Sequence, residues 1–206
     1  MSKKKKSLIF NIILVILGII GFIISIKNVH LSLFVYYTQD SNIFAFIISG
    51  IYVYYLLKEK EIPVWLNILK YIAVTSLMVT FLVVIFILAP MFGFNYVYFL
   101  FVGANLYYHF LCPIIAFISF VFFEEYEIKG YKENLLATSF TGIYAFIFII
   151  LNILKIVDGP YPFLQIYKNP IYMSVLWFFL IVGGSFFLSK SIEKIKRKSK
   201  KNLHKI

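Results

Sequence analysis

Two short polar stretches in an otherwise apolar chain hold the residues best suited to chemistry. Thr38, Ser41 and Asn42 stand at i, i+3 and i+4, one helical face that Ala45 and Ser49 continue. Asn105, His109 and Cys112 repeat that spacing, with Ala116 and Ser119 below them. A threonine hydroxyl is a weak nucleophile until a base takes its proton, and an imidazole titrating near neutrality suits that role. Asn42 or Asn105 would then donate to a developing oxyanion or orient the ring. Asp40 is a poorer partner for Thr38, because residues two apart point to different sides of a helix. The same types at the same spacing also serve architecture. Ser and Thr bond their own helix, Asn and His join helices at about 1 kcal/mol each, and Asp40 or Thr38 would cap a helix beginning near Ser41. Spacing alone leaves both readings open.

The remaining polar features carry weaker signals. The run Asp158-Gly-Pro-Tyr-Pro-Phe163 reads locally as a turn stiffened by Pro160 and Pro162. Cys112 beside Pro113 fits packing at a kink, since a thiol in apolar surroundings stays protonated. His30 reads as a solvated loop residue and His204 as part of a basic tail. No pair drawn from His30, His109, Asp40 and Asp158 has the spacing of a metal site, and no cofactor motif is read.

The elements that must position these residues follow from composition. Of 206 residues, 62% are apolar, 20% aromatic and 14% charged, whereas soluble domains are roughly half apolar and a quarter charged. A soluble fold is excluded. Crossing hydrocarbon takes about 20 apolar residues, and six runs qualify: 8–26, 31–57, 64–90, 105–123, 135–154 and 171–188. The first is too long for a signal-peptide core and lacks a cleavage site after it. Long continuous runs are helices, not the short alternating strands of a barrel. The expected fold is therefore an all-α, single-domain membrane bundle spanning residues 1–206. A basic tail covers 190–206, and the aromatic segment 92–101 re-enters or lies on the surface. No internal repeat supports an inverted-repeat transporter.

Charge gives the orientation. With the N-terminus inside, 17 Lys and Arg fall on the inner face and only Lys27, Lys155 and Lys168 outside, as the positive-inside rule requires of a cell-membrane protein with both termini cytoplasmic. The net charge of +11 is explained by those loops and by a tail on anionic headgroups, with no nucleic-acid partner needed. Abundant Lys, Ile, Asn, Phe and Tyr point to an AT-rich, bacterial genome. Spans two and four both descend from outside, so Thr38 and His109 lie in the outer part of the membrane at heights less than two turns apart, a difference that tilt can close. The loop carrying Asp158 opens on that side too.

Three motifs in order, Tyr37-Thr38-Gln39-Asp40-Ser41-Asn42, Tyr108-His109-Phe110-Leu111-Cys112-Pro113 and Asp158-Gly-Pro-Tyr-Pro-Phe163, resemble the androgen-induced protein family over nearly the whole chain. That family includes the androgen-dependent tissue-factor-pathway-inhibitor-regulating proteins of animals and small six-span bacterial relatives. Around Thr38 the match is to the bacterial Thr-x-x-Ser-Asn pattern. The resemblance implies a membrane hydrolase of fatty acid esters of hydroxy fatty acids, with Thr38 as nucleophile and His109 as base, and membrane lipids as both surroundings and substrate. The alternative is a non-enzymatic protein that binds or transports a lipid or small molecule in a polar pocket at the outer side. Orientation is directly testable in a Cys112→Ala background. A membrane-impermeant maleimide applied to whole cells is expected to label Lys168→Cys and to spare Lys198→Cys; the reverse pattern would invert the topology.

Overall fold

Inside hydrocarbon no water is available to backbone N–H and C=O groups, so each apolar run must bond to itself as a helix. The computed structural model, which describes residues 1–29 and 34–203, shows α1 (Lys3–Val29), α2 (Tyr37–Leu57), α3 (Val64–Met91), a short α4 (Tyr96–Phe101), α5 (Leu106–Phe123), α6 (Tyr131–Ile153) and α7 (Ile171–Leu203). All except α4 are long and apolar enough to span a membrane. No strand occurs among the described residues. The chain is thus an all-helical protein with the properties of a multi-pass membrane protein.

Helix ends differ from the apolar runs in a consistent direction. Helix α1 starts at Lys3, α6 takes in Glu133 and Asn134, and α7 continues through most of the expected tail to Leu203. Lys, Arg and Glu are good helix formers, so a helix nucleated in the apolar run extends past the limit that hydropathy marks. Helix α2 begins at Tyr37, so its polar residues form its first turns instead of interrupting a longer run. Leu31 to Leu33 of the expected second span, His30 and His204 lie outside the described residues. The aromatic segment holds the short α4, of which only Leu100 is buried.

Helix α3 is the axle. Of its most apolar stretch 67% is buried, against 6% for α7, because α3 packs against α2, α5, α6 and α7 while α7 borders chiefly α6 and α3. Small residues bring α1 close to its neighbours: a Cβ on Gly18 would lie 2.6 Å from Phe46 Cβ, and one on Gly21 would lie 2.3 Å from the Tyr108 ring. Close approach at small residues is how packing replaces the hydrophobic effect in lipid.

Two helices widen where proline follows. Pro90 removes the N–H that Phe86 O would accept, and Pro113 the one for His109 O. The preceding turns are π-helical, over Val84–Leu88 and Leu106–Leu111, with Ala89 N–H reaching Val84 O and Cys112 N–H reaching Tyr107 O. A third π-turn, Ser119–Phe123, ends α5.

At the end of the bundle that carries both termini, Lys70 is fully buried. Its ammonium donates to Asn11 Oδ1 (2.6 Å) and Ser49 Oγ (2.7 Å) and stands 3.9 Å from Glu124 Oε1. Glu124 Oε1 also accepts from Asn11 Nδ2 (3.1 Å) and Ser119 Oγ (2.8 Å). Four helices, α1, α2, α3 and α5, therefore meet through one lysine and the residue that follows α5. The tail of α7 closes the same end: Lys196 donates to Phe120 O and Glu124 O, Lys200 to Glu125 O and Arg197 to Ile128 O. Cations on the exposed carbonyls at a helix C-terminus satisfy both its orphan acceptors and its dipole. Removing one partner of a buried pair leaves the other charge uncompensated, at about 3–5 kcal/mol. Lys70→Met should therefore lower the unfolding midpoint in detergent sharply, and adding Glu124→Gln should recover part of the loss. An unchanged midpoint in Lys70→Met would remove this pair from the fold's supports.

Candidate functional site

The opposite end is built on the start of α2. The first turn of a helix has N–H groups with no partner in the helix, and here no side chain at the N-cap residue, Tyr36, supplies one. Two phenols from distant positions do: Tyr37 N–H donates to Tyr144 Oη (3.0 Å) and Thr38 N–H to Tyr161 Oη (3.4 Å). Tyr144 in turn donates to Val35 O at 2.7 Å. The expected cap, Asp40 or Thr38 on a helix starting near Ser41, is replaced by tyrosines from α6 and from the loop before α7. Asp40 is half-buried in the first turn, where a negative charge favours the helix dipole.

Behind these caps lies a chain of hydroxyls. Tyr37 Oη pairs with Thr141 Oγ1 (2.8 Å), Ser185 Oγ donates to Thr141 Oγ1 (3.3 Å), and Ser41 Oγ pairs with Thr80 Oγ1 (3.2 Å). Thr38, Thr80, Thr141 and Tyr161 border a narrow cavity of about 40 Å³ between α2, α3, α6 and α7; its other walls are mainly apolar and aromatic, among them Val83, Leu88, Phe163 and Trp177. The cavity surface is thus mainly hydrocarbon, with four hydroxyl-bearing residues on its border.

Tyr161 is the contribution of the Asp158-Gly-Pro-Tyr-Pro-Phe163 loop. A Cβ on Gly159 would sit 2.4 Å from Leu164 O, so only glycine allows the loop to fold back this tightly. The Tyr161 ring stacks on Phe163 with centroids 5.2 Å apart, and its hydroxyl accepts from the Thr38 N–H. Burial pushes the phenol up to about 12, against a smaller opposing effect of Thr38. It therefore keeps its proton at physiological pH and can donate it in a hydrogen bond. Asp158 itself points away: it is solvent-exposed, 3.9 Å from an equally exposed Lys168.

The structure brings Thr38, Ser41 and Asn42 together and sets His109 beside them without joining it to Thr38. Asn42 Nδ2 donates to both Thr38 O (2.8 Å) and Tyr108 O (3.2 Å), so α2 and α5 meet at this height. Those bonds occupy both amide hydrogens, leaving Asn42 no N–H for an oxyanion; its Oδ1 is buried without a partner among the described residues. Asn105 is turned to the surface, where Nδ2 holds Tyr98 O at 3.0 Å. His109 Nδ1 lies 2.6 Å from Phe99 O. A carbonyl only accepts, so in the neutral ring Nδ1 carries the hydrogen and Nε2 keeps its lone pair. Among the described residues no hydrogen bond joins His109 to Thr38, and His109 is not on the cavity wall. Cys112 is buried in the core between these helices.

Tyr161 is the site residue that helix-face reasoning missed. Its only sequence signal was membership of the Gly- and Pro-punctuated loop, which reads locally as a plain turn. Replacing it by Phe keeps the stack and removes one capping bond, worth about 1 kcal/mol. Tyr161→Phe should speed hydrogen exchange at the Thr38 amide while leaving exchange at Tyr37, capped by Tyr144, unchanged. Equal exchange at Thr38 in both proteins would show that the phenol does not cap α2.

Comparison with protein-family models, with curated proteins and with solved structures yields no match to this chain.

Proposed function

We propose that this is a cell-membrane protein with both termini on the cytoplasmic side, whose outer-end cavity takes up a membrane-soluble amphiphile by its polar end. The observation that carries this reading is a narrow, mainly apolar cavity on whose border Thr38, Thr80, Thr141 and Tyr161 stand among Val, Leu, Phe and Trp side chains. Lipid tails are as apolar as leucine, so moving a chain from bilayer to cavity gains nothing from the hydrophobic effect. Discrimination falls to the hydroxyls. Being neutral, they suit an ester, a carboxylic acid or an alcohol better than a strongly charged headgroup.

A second reading, hydrolysis of lipid esters, is favoured by the resemblance to the androgen-induced protein family and by the fixed tautomer of His109. In it Thr38 Oγ1 attacks the ester carbonyl while His109 Nε2 takes its proton. The Tyr161 hydroxyl donates to the oxyanion, the alcohol leaves with the proton from His109, and water then releases the acid from Thr38. This requires Thr38 and His109 Nε2 to come together when substrate is bound, with Nδ1 staying on the Phe99 carbonyl. Asn42, Ser41 and Asn105 act on this reading as positioning residues.

Tryptophan fluorescence tests the binding on which both readings depend, and ester cleavage separates them. With Trp65→Phe, Trp177 on the cavity wall is the one tryptophan left. Titration with a brominated fatty acid in detergent should quench it saturably. Thr38→Val should raise the half-saturating concentration about fivefold, as loss of a hydrogen bond of about 1 kcal/mol predicts. Quenching that never saturates, or that Thr38→Val leaves unchanged, would reject the cavity as the binding site. Cleavage of long-chain esters, abolished by Thr38→Ala and slowed by His109→Gln, would establish the second reading; wild-type protein that binds without cleaving would reject it.

A further inference from the structure

The lipid-facing side of the α3–α7 pair carries a second hollow, of about 410 Å³, running from Phe86 and Trp177 down to Val79 and Leu188. Four side chains, Val79, Val83, Trp177 and Ile181, line both this groove and the Thr38 cavity. They are shared by the two walls, and none of them is polar apart from the Trp177 indole. The two spaces are also linked by Ser185, which lies in the groove and donates to Thr141 on the cavity wall at 3.3 Å. On α7, Gly184 opens the groove floor: a Cβ there would meet nothing within 4 Å.

From this continuity we infer that the α3–α7 groove is the lateral entry lane for the cavity, and that its occupant is the hydrocarbon chain of a single-chain amphiphile. The inference rests on the cavity-binding reading above and adds the route and the ligand class. The occupant is fixed by location: a groove of apolar side chains between two spanning helices is filled by hydrocarbon, since water is absent there. A single chain fits because the lane is one groove between two helices. From Trp177 to Leu188 it covers eleven residues, about 16 Å along the helix, or room for roughly a dozen methylenes. The polar end is fixed by the cavity, where Thr38 and Tyr161 lie beyond the shared wall. A ligand so placed has its ester, acid or hydroxyl group at Thr38 and its tail along Ile181 and Gly184. Trp177 and Ile181 must part for the chain to pass between the two spaces. Their freedom to do so follows from the position of α7, whose spanning part is the least buried of the six.

Photo-crosslinking in nanodiscs tests this. A long-chain fatty acid carrying one diazirine beside its carboxyl group and a second at mid-chain is added and irradiated, and labelled peptides are mapped by mass spectrometry with excess unlabelled fatty acid as competitor. Competable labelling is expected on residues 79–87 and 177–188 and on the cavity peptides containing Thr38 and Tyr161. Gly184→Leu, which fills the lane, should lower labelling of the cavity peptides about tenfold. Gly183→Leu is the control: its Cβ also meets nothing within 4 Å, but residue 183 is not on the groove. It should leave labelling intact. Should Gly184→Leu not yield folded protein, Ile181→Trp closes the shared wall instead and should have the same effect. Cavity labelling that both variants leave at the wild-type level would overturn the lane while preserving the cavity. Absence of competable labelling at Thr38 and Tyr161 in the wild type would overturn the cavity reading and the lane with it.

Discussion

A lysine ammonium held where no water can reach it constrains everything around it. Lys70 lies on the most buried helix of the bundle, and its donors are met by Asn11 from α1, Ser49 from α2 and, at longer range, Glu124 after α5. None of these groups is tolerable alone in a low-dielectric interior, and together they admit few arrangements. They therefore fix which faces of α1, α2, α3 and α5 meet. Lys196 adds a second anchor by capping the end of α5 from α7. Between this end and the other, the middle of the bundle is packed with Leu14, Ala45, Val74, Leu77 and Cys112. Polar groups are thus held at one end by charge and at the other by neutral hydroxyls.

That division shapes what the second end can do. Phenols and threonines impose little desolvation cost compared with ionised groups, so a cavity can be left between them without threatening the fold. The caps on α2 arrive from α6 and from the loop before α7, which makes the cavity wall and the start of α2 one mechanical unit. A molecule that accepts a hydrogen bond from Tyr161 uses the hydroxyl whose oxygen caps the Thr38 N–H, and so is linked directly to the first turn of the helix.

The six spans could be read from the chain because continuous apolar runs leave hydrocarbon as their only solvent. The polar face of α2 was equally plain, since Thr38, Ser41 and Asn42 share one face by helical period alone. Pairings across more than a hundred residues were not. Nothing local says that Tyr144 and Tyr161 cap α2, or that Lys70, which charge counting assigns only to the inner face, is buried against Asn11. The loop motif drew attention to Asp158, the charged member, whereas it is the neutral Tyr161 that reaches Thr38. Hydropathy cannot rank these two, because the choice depends on how Gly159 folds the loop back. His109 was correctly placed on an inward face, but its ring partner, the Phe99 carbonyl, is a backbone atom and leaves no trace in residue type.

The widened turn at Leu106–Leu111 has a consequence for how this chain can vary in length. A π-turn holds one residue more than the α-turn it replaces. Deleting one residue there would return the turn to α-geometry and leave the two flanking parts of α5 near their present register, because the extra residue is absorbed within the turn. Only side chains inside the turn would be redirected, among them Tyr108, whose ring fills the space above Gly21, and His109. The widened turn therefore sets where these two side chains point without deciding how the rest of α5 packs. Relatives of this protein one residue shorter between Asn105 and Pro113 should keep the bundle and lose this placement of the tyrosine and the histidine.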